Sequence, residues 1–400
     1  MVVYMAAPPP VIPMHSLVRL PPKAVVSFPT PVASNPVPLP TTISVSPVSV
    51  LPSTAASKTS PSCNSAQAAL LLWEACPPSS VEASIVGSGI SPEYAENVRG
   101  AFSVGFDSAM YDRMGRDVQR VSQYNKAIAK AVAGGKLVLD LGTGRDALLA
   151  QMCARAGAKH TTAVEVLPDV AAAARRMVCQ AGLASLITVI EGHSGRVALP
   201  RVDIVVHEIV GGLAAEEGMA AAIRDLQQRP DVVNWRVPGW SLPRYVETRV
   251  APLAARPGSQ AWAKAAAMAA QLAGRGPHTL KVASVERMPA APSPEDLLGS
   301  LQSMDHVNAE APIVPVQEGE LRWRFDRQAV LEGFACAPWL DLDGEHVIDA
   351  WIGGTSWRHK LVGLDIPVIV GPGDEVSLRF TAYVCRYPVQ FRFVAILARR

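Results

Sequence analysis

The sequence predicts an α/β domain with a parallel sheet, followed by a mainly β domain. Two observations carry this prediction: short aliphatic runs alternate with helix-periodic segments between residues 110 and 207, and strand-like runs without long helices follow Trp235. Strands that alternate with helices form right-handed βαβ units whose sheet is covered on both faces. Because ligands of open α/β sheets bind at the carboxyl ends of the strands, we expect the functional residues there.

The elements of the α/β part follow in a regular order. Apolar residues at steps of three and four predict a single helix over Met110–Val132. Further helices are predicted at residues 147–156, with Gly157 at the end, and at 169–180. The predicted buried strands are Lys136–Leu141, Thr162–Val166, Ile187–Ile190 and Val202–His207.

The β part contains seven predicted strands and one helical insertion. The strands are Tyr245–Val250, Leu321–Phe325, Ala329–Phe334, Val347–Ile352, Ile366–Val370, Glu375–Val384 and Gln390–Leu397. The alanine-rich insertion is expected at about 260–272. We therefore predict one domain over residues 67–240, including its N-terminal helices, and a second over 241–400.

The first 66 residues differ in composition from the rest. Of the 34 prolines, fourteen precede residue 62, and no Asp or Glu occurs before Glu74. Closely spaced prolines remove amide donors and stop helices and sheets from propagating. Residues 1–66 are therefore predicted to be a disordered leader, with an organellar transit peptide as the alternative. The expected compartment is the cytoplasm or nucleus, or an organelle if the leader is a transit peptide.

Charge and cysteine content exclude several classes of function. The formal net charge is +2 with 18% charged residues, which excludes a general surface for direct binding of nucleic acid. The six cysteines form no CxxC pair, so no metal site is expected. No run of 18 apolar residues is free of charge and proline, and no membrane span is predicted.

A glycine-rich turn at the end of the first strand predicts a cofactor site. Asp140 is followed by Gly142 and Gly144, which let the backbone approach a ligand closely, and Glu165 ends the next strand. The spacing between Gly142 and Glu165 suits an acid that accepts hydrogen bonds from a ribose diol. Since Ala147 stands where a dinucleotide motif needs its third glycine, a ribose ligand without phosphate fits better. S-adenosylmethionine is the common ligand of this kind.

These residues resemble a known family. Leu137–Gly144, Ala156–Ala158 and Ala163–Glu165 look like the cofactor half of the protein arginine N-methyltransferases, and Met114–Arg120 with Tyr124 is similar to the family's M-x-x-D-x-x-R-x-x-x-Y helix. The resemblance implies a Rossmann-like methyltransferase domain, a C-terminal β-barrel-like domain, an arginine-containing protein substrate and a homodimer, with the insertion as a candidate arm.

The resemblance also implies roles for single residues. Arg120 would bind the methionyl carboxylate, since its planar fork suits a carboxylate, and Met114 would lie beside the target nitrogen. Ser194 is expected to contact the cofactor. The neighbouring Gly195 stands where many members have an acid for the adenine amino group, and Asp146 stands where the third motif glycine is usual.

Two carboxylates follow the fourth strand in the loop Val206–Gly218. Glu208 and Glu217 are nine positions apart, which resembles the family's double-glutamate loop. Two converging carboxylates draw the positive charge of a guanidinium toward the nitrogens that they contact, which leaves another nitrogen nucleophilic. The neighbouring Glu216 is expected to be solvated.

A third motif lies near the carboxyl end. Gly354–Arg358 resembles the family's T-H-W loop, with Ser356 in the place of the histidine and Trp357 as a substrate contact or a packing wall. Members that make symmetric products tend to lack this histidine, whereas Met114 is typical of members that make asymmetric ones, so the product type stays open. The sequence predicts a protein arginine N-methyltransferase. A methyltransferase for a small molecule or another side chain, and a degenerate homologue without turnover, are the alternatives.

Overall fold

The computed structural model describes residues 89–105, 108–269 and 276–399. The predicted leader at 1–66 and the first part of the predicted domain, residues 67–88, lie outside the described residues. No helix within the described ranges is both long and apolar enough to cross a membrane.

Within the described residues, three helices precede the parallel sheet. They are α1 (Pro92–Gly105), α2 (Ser108–Gly115) and α3 (Val118–Ala131). The single helix predicted over Met110–Val132 is therefore divided between α2 and α3. The division has a local cause: Asp117 leaves helical geometry and becomes the N-cap of α3, where its side chain accepts a hydrogen bond from the backbone N–H of Arg120 at 2.9 Å.

Five parallel strands form the sheet of the α/β part. They are β1 (Leu137–Leu141), β2 (His160–Glu165), β3 (Ile187–Glu191), β4 (Ile204–His207) and β5 (Ser241–Leu242), in the spatial order β3-β2-β1-β4-β5. The helices between them are α4 (Leu148–Arg155), α5 (Pro168–Gln180) and α6 (Met219–Gln227). The strand order reverses at β1, so the ends of β1 and β4 flank the position where such sheets bind ligands. The predicted Rossmann-like sheet is confirmed.

The β part consists of two antiparallel sheets. Their strands are β6 (Tyr245–Ala254), β7 (Gly276–Leu280), β8 (Val282–Arg287), β9 (Gln302–Asn308), β10 (Gln317–Arg324), β11 (Ala329–Asp341), β12 (Val347–Asp349), β13 (Lys360–Val370), β14 (Glu375–Tyr383) and β15 (Gln390–Arg399). One sheet has the order β10-β14-β15-β7, and the other has the order β8-β13-β11-β6-β9, with the short β12 paired to β11.

The two antiparallel sheets meet along both pairs of edges. β10 contacts β9 on one side, and β7 and β15 contact β13 and β8 on the other. This arrangement covers the sheet edges, as closure into a barrel does. The β-barrel-like second half predicted from the sequence is therefore present. Its strands β7, β8 and β9 were not predicted. For the first two the reason is that Gly276–Leu280 and Val282–Arg287 carry polar residues and contain only one buried residue, Leu280.

The helical insertion lies between β6 and β7. Its described part is α7 (Gln260–Met268), and the last residues predicted for it, 270–272, lie outside the described ranges. Ala265 is buried against β11 and β13, whereas Trp262 is exposed over 39% of its surface. One main hydrophobic core joins the parallel sheet to the β part, with Val205 and Leu331 among its fully buried members. This shared core fixes the loops of the two parts relative to each other.

Candidate functional site

A large cavity opens at the carboxyl ends of β1 to β4. Its empty space is about 1190 Å³ including the mouth, which is ample for a nucleoside-sized ligand. Eight of the residues predicted for the site line it, namely Met114, Arg120, Gly142, Gly144, Glu165, Ser194, Glu208 and Glu217. Asp140 and Trp357 do not line it but contact Thr143 and Arg120, which do, and Ser356 contacts Asp117.

The glycine turn after β1 brings the backbone directly to the cavity. Gly142 and Gly144 both have positive φ values, 66° and 70°, which side chains other than glycine rarely adopt. A Cβ atom on Gly144 would also lie 3.1 Å from the Tyr111 ring. Glycine is thus required here for both conformation and space, and the turn leaves an open cradle beside the strand end.

Glu165 ends β2 within the same cradle. Its Oε2 accepts a hydrogen bond from the backbone N–H of Gly144 at 3.0 Å, and its Oε1 accepts one from that of Leu167 at 3.0 Å. Burial raises the pKa of this carboxyl, while the two backbone donors act in the opposite direction. The carboxylate is therefore held in a fixed position from which its free lone pairs can accept hydrogen bonds from a diol.

Asp140 supports the turn from beneath and does not line the cavity. Its Oδ2 accepts hydrogen bonds from the Thr143 hydroxyl at 2.6 Å and from the backbone N–H of Ala150 at 3.1 Å. Burial raises the pKa of Asp140 to about 7. We interpret Asp140 as a residue that holds the glycine turn against the first turn of α4.

The end of β3 forms the far side of the cavity. His193 lies edge-on to Tyr94 with ring centroids 5.7 Å apart, and burial lowers its pKa to about 4, so its imidazole is neutral at pH 7. The backbone carbonyl of Ser194 accepts a hydrogen bond from the buried Arg229 at 3.0 Å. A Cβ atom on Gly195 would lie 2.5 Å from Ile90, so Ile90 fills the space where relatives are expected to carry an acid.

Arg120 and Glu208 form an ion pair within the cavity wall. Nη2 of Arg120 donates to Oε2 of Glu208, and each side chain is only 7% exposed. The resemblance implied that Arg120 binds a carboxylate of the cofactor. Here one of its five N–H donors is directed at Glu208, and the others remain for a second carboxylate. Burial raises the pKa of Glu208 to about 7 despite the neighbouring arginine.

Glu217 lies near Glu208, as the loop spacing predicted. Burial and the negative charges of Glu208 and Glu216 raise the pKa of Glu217 to about 8, whereas Arg120 and Arg287 act in the opposite direction. Glu217 is followed by Gly218, whose left-handed conformation starts α6. When both glutamates are ionised their carboxylates repel each other, and a cation that entered beside them would relieve this repulsion.

The predicted T-H-W-like loop reaches the site through its backbone and its indole. Oδ2 of Asp117 accepts a hydrogen bond from the backbone N–H of Ser356. Nε1 of Trp357 donates to the backbone carbonyl of Val210 at 2.7 Å, and the Arg120 guanidinium lies 5.6 Å from the centroid of the Trp357 ring. Trp357 therefore forms a packing wall that supports both Arg120 and the double-glutamate loop.

Asp146 does not point an uncompensated charge at the cofactor site. Nε of Arg145 donates to Asp146 at 2.8 Å, and Nη2 of Arg145 donates to Asp112 in α2 at 2.6 Å. The same guanidinium lies over the Tyr111 ring, 5.5 Å from its centroid. The departure from glycine at position 146 is thus matched by an arginine that links the turn to α2.

Sequence reasoning missed the aromatic cover of the cavity. Tyr94, Val98 and Phe102 of α1 line it, and Tyr387 from the loop after β14 packs against both Tyr94 and Phe102. The spacing of four between Tyr94, Val98 and Phe102 is a helical stripe that was available in the sequence. Tyr387 had no such signal, because its partners are almost 300 positions away.

Comparisons with known proteins agree with this geometry. No protein-family model matches the chain. Protein arginine N-methyltransferase 1 of Oryza sativa subsp. indica is 34% identical over 122 residues, and protein arginine N-methyltransferase 2 of Dictyostelium discoideum is 35% identical over 128 residues. This part of the chain is therefore similar in sequence to protein arginine N-methyltransferases. The first of these matches spans 28% of this chain and about a third of the relative's length.

Solved structures of the same family share the fold. The Trypanosoma brucei PRMT1 enzyme-prozyme heterotetrameric complex with AdoHcy matches 73% of this chain and 99% of its own, with a TM-score of 0.56 and 15% identity. The Arabidopsis thaliana protein arginine methyltransferase 10 matches 70% of this chain and 89% of its own, with a TM-score of 0.56 and 19% identity. The likeness therefore extends over both the parallel sheet and the β part.

Proposed function

We propose that this chain is a protein arginine N-methyltransferase that takes its methyl group from S-adenosylmethionine. The observation that carries the proposal is the convergence of Glu208 and Glu217 beside the cradle formed by Gly142, Gly144 and Glu165. A neutral oxygen nucleophile would gain nothing from two adjacent anions. A guanidinium, which carries a positive charge over three nitrogens, gains from both.

The cradle suits a nucleoside with an attached carboxylate. The positive φ values of Gly142 and Gly144 keep side chains out of the turn, and Glu165 offers acceptors for the ribose hydroxyls. Arg120 would bind the methionyl carboxylate, and Ser194 would lie beside the adenine. S-adenosylmethionine, when bound, supplies a methyl group that is already activated on a sulfonium. The relative from Trypanosoma brucei is described in complex with AdoHcy, which supports this choice.

Glu208 and Glu217 would orient the substrate. Each carboxylate accepts hydrogen bonds from guanidinium nitrogens and draws positive charge toward them, so the remaining nitrogen presents its lone pair to the methyl group. Orientation supplies most of the rate, because the methyl donor needs no further activation. Glu208 is already fixed by Arg120, which leaves Glu217 as the carboxylate that responds to the incoming cation.

The two raised pKa values are suited to the proton that the reaction releases. With a pKa raised to about 8 before substrate binds, Glu217 has the proton affinity of a base that works near neutral pH. The entering guanidinium lowers this pKa by charge attraction and turns Glu217 into a carboxylate. We propose that the proton lost by the methylated nitrogen leaves through Glu217.

Transfer of labelled methyl groups to peptides tests the proposed function. An arginine-rich, glycine-rich peptide and its lysine-substituted counterpart are incubated with labelled S-adenosylmethionine, and the acid hydrolysate identifies the product. We expect label in methylarginine only, loss of transfer in Glu208→Gln, and normal transfer in Glu318→Gln, which changes an exposed residue of β10. Label in lysine, or in a small metabolite supplied instead of the peptide, would contradict the proposal.

We also propose that the chain forms a homodimer through α7. The helix packs on β11 and β13 by one face and leaves 39% of the Trp262 surface exposed. The relative from Trypanosoma brucei is described as a heterotetrameric complex, which supports association in this fold. Light scattering of the wild type and of Trp262→Ala tests this proposal. We expect the wild type to be a dimer and Trp262→Ala to dissociate more readily. A monomeric wild type would contradict the proposal.

A further inference from the structure

The double-glutamate loop carries a third carboxylate that is not free. Oε1 of Glu216 accepts a hydrogen bond from Nζ of Lys360 at 2.6 Å, and its Oε2 accepts one from the backbone N–H of Leu213 at 3.3 Å. The Lys360 side chain is 12% exposed and the Glu216 side chain is 36% exposed, so this ion pair is partly shielded from screening by salt. The sequence-based expectation that Glu216 is a solvated neighbour is therefore only half right, because the side chain is fixed by a lysine.

Two adjacent glycines make room for this ion pair. A Cβ atom on Gly211 would lie 2.6 Å from Cβ of Glu216, and a Cβ atom on Gly212 would lie 2.8 Å from Cε of Lys360. Neither glycine needs a left-handed conformation, so it is the close approach of the two charged side chains that requires them. The pair is thus built into the loop and is not a chance surface contact.

Lys360 connects the loop to the opposite part of the molecule. It is the first residue of β13, three positions after Trp357, whose indole donates to the same loop at Val210. The lysine therefore reaches across from the β part and holds Glu216 at the position directly before Glu217. The Lys360 ammonium therefore offsets the charge of Glu216, the carboxylate nearest to Glu217 in the sequence.

The titratable groups that face Glu217 come from five elements. The carboxylates of Glu208 and Glu216 and the guanidinium groups of Arg120 and Arg287 act on it directly. Tyr111 of α2 and Tyr387 of the loop after β14 also face it, and both are neutral at pH 7 because their pKa values are raised. If Glu216 lost its lysine, the balance around Glu217 would shift by one negative charge.

We propose that Lys360 is a positioning residue: through its ion pair with Glu216 it holds the third carboxylate of the loop out of the substrate space and fixes the charge that Glu217 experiences. The proposal rests on the methyltransferase function proposed above. Without Lys360, the unpaired Glu216 repels the carboxylate form of Glu217, which then holds its proton to higher pH. Without Glu216, Glu217 loses a repelling neighbour and gives up its proton at lower pH.

A set of four variants tests this role. The titration midpoint of Glu217 is measured by NMR in enzyme with ¹³C-labelled glutamate carboxyls, and its signal is assigned by its loss in Glu217→Gln. We expect the midpoint to rise on the order of one pH unit in Lys360→Met and to fall by a similar amount in Glu216→Gln. In the double variant the two effects cancel, and Lys360→Arg, which keeps the charge, retains the wild-type midpoint.

The acid limb of kcat/KM for the arginine peptide is expected to move with these midpoints. A lysine with only a packing role would change thermal stability in Lys360→Met but would leave the midpoint in place, and that result would overturn the proposal. If Lys360→Met does not fold, an unchanged midpoint in Glu216→Gln overturns it equally. A wild type without methyl transfer would overturn the proposed function, while the NMR titration would still decide the role of Lys360.

Discussion

Asp117 accepts a hydrogen bond from the backbone N–H of Ser356, a residue 239 positions later in the sequence. The other oxygen of the same carboxylate caps α3 by accepting from the backbone N–H of Arg120. One buried side chain therefore fixes the first turn of the helix that carries Arg120 and attaches the loop of Trp357 to it. This link places the β part of the chain against the cofactor side of the site.

Replacing Asp117 should damage both stability and cofactor affinity. Asp117→Ala removes a helix cap worth about 1 kcal/mol and a buried charge-assisted hydrogen bond worth roughly 1.5–3 kcal/mol. Because Arg120 follows in the first turn, we also expect weaker binding of S-adenosylmethionine. Urea unfolding measures the loss of stability, and calorimetry with S-adenosylmethionine measures the loss of affinity. Asp169→Ala, an exposed acid in the first turn of α5, serves as the control and should change neither by much.

Gly144→Ala should abolish cofactor binding for a reason beyond backbone strain. Alanine at this left-handed position costs roughly 1–2 kcal/mol, and its Cβ meets the Tyr111 ring. Gly157→Ala is the matched control, because Gly157 also has a positive φ but has open space around it. We expect both variants to lose stability and only Gly144→Ala to lose affinity in calorimetry. Equal affinities would show that the turn does not approach the cofactor.

Ile90 and Gly195 should show strong energetic coupling. Gly195→Ala forces a Cβ against Ile90, and overpacking of this kind costs about 1–3 kcal/mol. In an Ile90→Gly background the same change should cost much less, since this variant also removes the Ile90 Cβ atom, which would lie 2.7 Å from the new Cβ. Urea unfolding of the two single variants and the double variant measures the coupling. Additive losses would mean that the two residues do not meet.

Glu217→Gln should stabilise the fold while it removes activity. The pKa of Glu217 is raised in the folded chain, so its favourable, protonated form dominates at low pH and the benefit is lost as pH rises through about 8. The variant should therefore unfold at a higher temperature than the wild type at pH 9 and at a similar temperature at pH 5. A variant that is less stable than the wild type at pH 9 would contradict the repulsion inferred for this site.

The local signals of the cofactor side were readable from the sequence. Asp140, the glycines of the turn and Glu165 lie at strand ends, where the pattern of strand and helix fixes both their conformation and their position. The paired glutamates were found because the loop between them is short. Each of these predictions depends on residues that are neighbours in the chain.

The long-range contacts were not readable in the same way. The hydrogen bond from Ser356 to Asp117 and the ion pair of Lys360 with Glu216 join segments that meet only after the β part has folded against the parallel sheet. The division of the first long helix was missed because its apolar stripe continues past Asp117, and only the capping geometry shows the break. A strand such as β8 was missed because most of its residues are exposed.

The paired role of Glu208 and Glu217 is tested most directly by methyl transfer to the arginine peptide. The variants Glu217→Gln and Glu216→Gln are measured side by side at saturating S-adenosylmethionine. The assay is run at roughly pH 8.5, which is above the raised pKa of Glu217. We predict that Glu217→Gln lowers kcat by about 100-fold or more, as removal of a charge-stabilising group does, whereas Glu216→Gln still transfers methyl groups to arginine. Transfer at the wild-type rate by Glu217→Gln would contradict the proposed mechanism.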